Sequence, residues 1–285
     1  MSFSWKSKPS NDPSIDLVLS ASGSRAPCFI GGIAALKEKG YKIERVGGSS
    51  GGAIIAAAYA LGTDLDTLRN KALKTPYTKF KDFKVKNLLS LRNPSVYSGK
   101  GLDNYLQELF GETTLSDFKI DCRIAVVTIL GRKRELLTRD THPNLPIWKA
   151  VRMSSTIPFI FPYYELDGIP VTDGGLITSA FDFFPDSPRP VLALRPRADH
   201  NLKRHIQDVK ANTMVLWNYI KIVSEYFLDA ADNQHVPEKE WHRTIVIPTF
   251  EIGGFNFSLD ADKVRKLIQC GYDEVLLSDI APYID

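Results

Sequence analysis

The run Gly47-Gly48-Ser49-Ser50-Gly51-Gly52 constrains this chain more than any other six residues in it. It follows Ile43-Glu-Arg-Val46, a short strand-forming stretch, and precedes Ala53 to Leu61, an alanine-rich helical segment that stops at Gly62. A strand that turns into a helix within so few residues is crowded by both neighbours, and glycine removes the side chains that would clash. The pattern G-x-S-x-G fits in two registers: Ser49 between Gly47 and Gly51, or Ser50 between Gly48 and Gly52. Ser50 is favoured, because the helix then follows it at once and aims its N-terminal dipole at the serine oxygen. A glycine-rich turn that only packs a strand on a helix, or one that cradles a phosphate, is the alternative. A Walker A loop would need Gly-Lys-Ser/Thr, and no lysine follows these glycines; after the first strand Ser22-Gly-Ser-Arg-Ala26 stands where G-x-G-x-x-G would be needed.

The same alternation of strand and helix organises the rest. Ile15-Asp-Leu-Val-Leu-Ser20 is a strand, Phe29 to Lys39 a helix, and two such transitions inside the first 62 residues imply parallel strands with crossover helices. Asp64 to Phe110 is helical and amphipathic, broken at Pro76 and Pro94, and the continuous apolar run from Cys122 to Leu130 predicts a buried parallel strand. Leu136 to Thr138, Val171-Thr172, Val191 to Leu194 and Thr244 to Ile247 are further strands, and Leu202 to Ala230 and Leu259 to Leu277 are helices. The expected architecture is an α/β three-layer sandwich with a mostly parallel central sheet flanked by helices. It is read as a single domain over 1–285, with a motif-bearing core at 14–180, a helical insertion at 64–118 and further elements at 181–285.

A serine in such a turn needs a base. The histidines (His142, His200, His205, His235, His242) lie in no glycine- or acid-rich turn, and His200 and His205, in a polar stretch at a helix start, read as solvated side chains. The stronger candidate is Asp173 in Val171-Thr-Asp-Gly-Gly175, where a brief strand delivers a carboxylate into a double-glycine turn that lets another loop approach. A plain Asp-Gly turn is the bland alternative.

Elbow, Asp-Gly-Gly and the intervening Ala150-Val-Arg-Met-Ser-Ser-Thr-Ile-Pro-Phe-Ile-Phe-Pro162 together resemble the patatin-like phospholipases, over roughly 14–180. Phe255-Asn-Phe-Ser-Leu and Leu267-Ile-Gln-Cys-Gly-Tyr272 are similar to the closing segment of many such domains. The resemblance implies a lipid acyl hydrolase with a Ser–Asp dyad and no histidine, Ser50 as nucleophile within the elbow Gly48–Gly52, and Asp173 as base. It also implies an oxyanion loop at Ala21-Ser-Gly-Ser-Arg-Ala26, where only Gly23 and Arg25 match the family's glycine-rich pattern. Backbone N–H groups bind an oxyanion, so Ser22, Gly23, Ser24, Arg25 and Gly51 form the expected hole.

The substrate implied is a phospholipid or lysophospholipid ester. Lys71, Lys74, Lys79, Lys81, Lys84 and Lys86 cluster with Tyr77, Phe80 and Phe83 interleaved and Asp82 the one acid, a pattern suited to anionic headgroups. Lys79, Phe80, Lys81, Phe83 and Lys84 are the expected membrane contact, and a solvated basic helix face is the alternative. A formal net charge of +3 is too weak a bias to argue for nucleic acid. The sequence has no EF-hand loop and no H-E-x-x-H, so no metal and no cofactor is expected. Three scattered cysteines, no basic-then-apolar leader and no apolar run of the ~18 residues a bilayer crossing requires suggest a cytoplasmic protein, peripheral on membranes at most. A catalytically weak module that binds lipid or a partner, and a nucleotide-binding α/β protein, remain as alternatives.

Overall fold

The computed structural model describes residues 14–83, 93–131, 133–176, 180–198, 223, 241 and 243–280. Among them, eight strands form one mixed sheet: β1 (Ser14–Leu19), β2 (Lys42–Gly48), β3 (Asp121–Thr128), β4 (Lys133–Leu137), β5 (Tyr164–Leu166), β6 (Ile169–Asp173), β7 (Val191–Ala198) and β8 (Thr244–Phe250). The flanking helices are α1 (Pro27–Glu38), α2 (Gly51–Ala60), α3 (Leu65–Lys74), α4 (Lys100–Phe110), α5 (Ile147–Ser154) and α6 (Ala261–Leu277). The sheet order is β5-β6-β3-β2-β1-β7-β8, with β4 beside β3. β1 pairs in parallel with β2 and β7, as do β2 with β3 and β7 with β8, so the core of the sheet is parallel as expected. The helix expected at 202–230 lies, except for residue 223, outside the described residues.

Alternation along β1 divides its two faces. Ile15, Leu17 and Leu19 join the main core with α1 and α2, while Val18 packs on the other face with Ala125, Ala193, Phe183 and Phe184. All six residues of β1 are buried, as a strand covered on both faces requires, and the period of two shows only in which face each side chain joins. Within α1, Gly31 lets α6 approach until a β-carbon there would stand 1.8 Å from the Ile268 carbonyl oxygen. Gly271 returns the contact against the Cys28 carbonyl.

The expectation for β3 needs one correction. It is parallel only to β2; β4 and β6 run antiparallel to it, because the chain leaves β3 through a hairpin directly into β4. A strand has two edges, and β4 occupies one of them over Ile124–Thr128. β2 pairs with Asp121–Ile124 and β6 with Val126–Thr128, so both must use the other edge. β2 leaves that edge at Gly48, opposite Ile124, and β6 takes it over at Asp173, opposite Val126. Two residues of strand are about 7 Å.

Burial pushes the Cys28 and Cys122 thiols well above their usual range, and Cys270 is only partly buried. Because the thiolate is the reactive form, a disulfide reagent at neutral pH should modify Cys270 first. Cys28 and Cys122 should react only as fast as the fold opens, and rapid modification of all three would contradict this packing.

Candidate active site

The two serines of the glycine-rich turn differ in backbone conformation. Ser50 has φ 53° and ψ −128°, a left-handed conformation that costs a non-glycine residue roughly 1–3 kcal/mol. Ser49 is absent from the positive-φ residues. Ser50 is the residue immediately before α2, so the helix starts at its back and its N-terminal dipole lies along the turn. Both flanking glycines are obligatory: a β-carbon on Gly52 would stand 2.2 Å from the Leu19 carbonyl oxygen, and one on Gly48 2.7 Å from the Gly52 carbonyl.

The end of α5 ties this elbow to the aspartate. Ser50 N–H donates to both the carbonyl oxygen of Ser154 (3.1 Å) and its Oγ (3.0 Å), and Ser154 Oγ donates to the Ala125 carbonyl of β3 (2.6 Å). Two residues on, the Thr156 carbonyl accepts Asp173 N–H (3.0 Å) and Thr172 Oγ1 (2.6 Å). Asp173 is fully buried, and its Oδ1 accepts the Gly175 N–H at 2.8 Å. A β-carbon on Gly174 would meet the Ala125 carbonyl oxygen at 2.2 Å, so only glycine follows Asp173 against β3. A β-carbon on Gly175 would stand 3.1 Å from Asp173 Oδ1 and 3.7 Å from Ser49 Oγ, which sets the carboxylate beside the elbow.

Sequence reasoning missed Ser154 as the hinge of this arrangement; the only signal was its place in the Ala150–Pro162 stretch. It also gave no role to Arg152, which is fully buried in the last turn of α5. Its Nε donates to Asp103 of α4 (2.6 Å), its Nη1 to Thr156 Oγ1 (2.9 Å), and its guanidinium lies over the rings of Phe161 and Tyr164. Arg152 thus pins the Thr156 segment to the helical insertion.

The loop after β1 differs in part from expectation. Gly23 has φ 54°, and Ser24 N–H donates to the Gly254 carbonyl at 2.7 Å, a contact across the chain with no sequence signal. Arg25 N–H donates to the Ser22 carbonyl at 3.1 Å. These bonds close a short 3₁₀ turn over Gly23–Arg25, so the Ser24 and Arg25 amides leave the expected oxyanion set. The amides of Ser22, Gly23 and Gly51 have no backbone acceptor among the described residues. Arg25 is buried, and its Nε also donates to the Ser22 carbonyl at 3.1 Å, so it fixes the loop and adds positive charge behind it.

Ser50 and Gly51 line an apolar pocket of about 60 Å³ whose walls include Ile30, Ile54, Leu68, Leu102 and Phe257. Phe80 is part of that wall. It is buried against Tyr77, Tyr105 and Phe257, so it is unavailable as a membrane contact. The reason is the 3₁₀ turn Tyr77–Phe80, in which residues three apart share a face. Lys79, Lys81 and Phe83 are exposed, and Lys84 lies outside the described residues. Asp82 is committed to the start of α4, where it accepts the N–H groups of Gly99 and Gly101. His142 is hydrogen-bonded to Thr141 in its own turn, and the other four histidines lie outside the described residues.

With this geometry established, comparison with known proteins is decisive in one respect. The family model for patatin-like phospholipases matches residues 17–184, more than half of the chain. The chain belongs to the patatin-like phospholipase family. Membership supports lipid hydrolase activity in general. An uncharacterised Bacillus subtilis protein, YqhO, is 25% identical over 283 residues, which span 90% of this chain and 95% of YqhO. An uncharacterised NTE family protein of Mycobacterium bovis is 29% identical over 174 residues, 59% of this chain and 44% of that one. The neuropathy target esterase of Drosophila grimshawi is 29% identical over 170 residues, 58% of this chain but only 11% of the esterase. Among solved structures, VipD from Legionella pneumophila shares the fold with a TM-score of 0.57 at 16% identity, over 92% of this chain and 66% of VipD. No helix among the described residues is long and apolar enough to cross a membrane.

Two substitutions at the elbow should change stability in opposite directions. Ser50→Gly relieves the left-handed strain and should stabilise the fold by about 1 kcal/mol in denaturant titrations. Gly52→Ala forces a β-carbon into the Leu19 carbonyl and should cost about 3 kcal/mol.

Proposed function

We propose that this patatin-like protein hydrolyses carboxylic esters of phospholipids or lysophospholipids through Ser50, Asp173 and an acyl-enzyme. The observation that carries the reading is the strained serine at the head of α2, with a buried aspartate two register positions further along the same edge of β3. Ser50 Oγ attacks the ester carbonyl carbon while its proton passes to Asp173, and the carbonyl π pair moves onto oxygen. The amides of Ser22, Gly23 and Gly51 stabilise that oxyanion, each such donor being worth about 2.7–4 kcal/mol of barrier in comparable sites. Collapse breaks the ester C–O bond, and the leaving alcohol takes the proton from Asp173. Water then repeats the sequence on the acyl-enzyme and releases the fatty acid. The carboxylate is fully buried, so the proton transfer takes place out of contact with bulk water.

The apolar pocket that Ser50 lines suits the acyl carbons nearest the ester, its volume of about 60 Å³ giving room for a few methylenes. Contact with a lipid surface through Lys79, Lys81 and Phe83 is supported by their exposure, and by Phe159. Phe159 turns outward at φ 64°, 59% exposed, from the loop whose Ser155, Ile157 and Phe161 line the pocket. A weak or inactive lipid-binding module is favoured only by the loss of Ser24 and Arg25 as donors.

Fatty-acid release from defined phospholipids should fall by at least about 10³-fold in Ser50→Ala and Asp173→Asn, and persist in Ser49→Ala. Loss in Ser49→Ala with retention in Ser50→Ala would move the nucleophile by one residue. Anionic vesicles at low salt should sediment the protein, and Lys79→Glu/Lys81→Glu should release it; failure to bind at low salt would remove the membrane contact.

A further inference from the structure

Ser22 is 1% exposed, and its Oγ has no hydrogen-bond partner among the described residues. A buried hydroxyl left unpaired loses its hydration with nothing in return, and the negative φ of Ser22, −135°, does not by itself call for a special residue there. Its position is specific. A β-carbon on Gly51 would stand 2.4 Å from Ser22 Oγ and 3.0 Å from Gly23 N. The hydroxyl therefore lies against the residue that follows Ser50, next to the Gly23 amide. The same β-carbon would stand 2.4 Å from the Gly23 carbonyl oxygen, so glycine at 51 lets this whole loop, hydroxyl included, close on the elbow.

We propose that Ser22 Oγ is a side-chain donor to the oxyanion formed when Ser50 attacks, a catalytic residue acting beside the amides of Gly23 and Gly51. This rests on the hydrolase reading above. A hydroxyl can rotate its proton toward an acceptor that appears only during reaction, and hydrogen bonds to a charged oxygen are about twice as strong as those to a neutral one. The neutral ester carbonyl gains little and the oxyanion gains much, so the contribution falls on kcat and leaves KM nearly untouched.

The test compares wild type with Ser22→Ala and Ser22→Gly, using Ser20→Ala as control because Ser20 Oγ is likewise buried without a partner. Turnover of a p-nitrophenyl fatty-acyl ester is measured alongside inhibition by an acyl trifluoromethyl ketone, which adds Ser50 Oγ to give an anionic hemiketal. Both Ser22 variants should lose about 10- to 100-fold in kcat with KM nearly constant. Ketone affinity should fall by the same factor as kcat/KM, melting temperature should hold or rise, and Ser20→Ala should match wild type. Wild-type kcat in the Ser22 variants, an equal loss in Ser20→Ala, or a loss of kcat with unchanged ketone affinity would overturn the proposal. A wild-type protein that neither turns over the ester nor binds the ketone would overturn the hydrolase reading, and the role of Ser22 with it.

Discussion

The site depends on two rulers that measure the same short distance. Along β3, Gly48 and Asp173 pair with residues two apart on one edge; along the chain after α5, Ser154 and Thr156 grip Ser50 and Asp173 through backbone amides. Each ruler is built from backbone hydrogen bonds, whose geometry tolerates little variation. The hydroxyl and the carboxylate are thus positioned by rigid backbone elements, and Asp173 Oδ1 in addition accepts the Gly175 N–H. Arg152 extends the second ruler into the helical insertion, because one buried guanidinium meets Asp103 and Thr156 together. A buried charge is tolerable only when so engaged.

Close backbone approach is the recurring means. Gly48, Gly52 and Gly174 each stand where a β-carbon would enter a neighbouring carbonyl group, and Gly51 stands against Ser22. These contacts crowd β1, β2, α2 and the Asp-Gly-Gly turn at the ends of the parallel strands, where open α/β sheets place their ligands. Left-handed strain at Ser50 is the cost of so sharp a turn at the pocket wall, and the hydrogen bonds of its amide to Ser154 hold it.

Much of this was legible in the sequence, for physical reasons. The elbow and Asp-Gly-Gly were readable because local sterics demand glycine there, and the sheet core because buried strands read as apolar runs between turn residues. β5 was not, since three residues, Tyr164–Leu166, are too few to show a period. Tyr77 and Phe80 looked like an interfacial stripe until a 3₁₀ turn put both inside. The Ser24–Gly254 bond joins residues far apart in the chain and leaves no local pattern, so the loss of that amide could not be foreseen. Ser154 and Arg152 lay in a stretch whose resemblance was plain but whose chemistry resides in tertiary contacts.

The most direct measurement of the central claim is the site of covalent modification by a fluorophosphonate, mapped by peptide mass spectrometry in wild type and Asp173→Asn. The account predicts a single adduct on Ser50 in wild type and a greatly slowed adduct when the carboxylate is removed. An adduct on Ser49, or labelling of Ser50 that ignores the loss of Asp173, would contradict it.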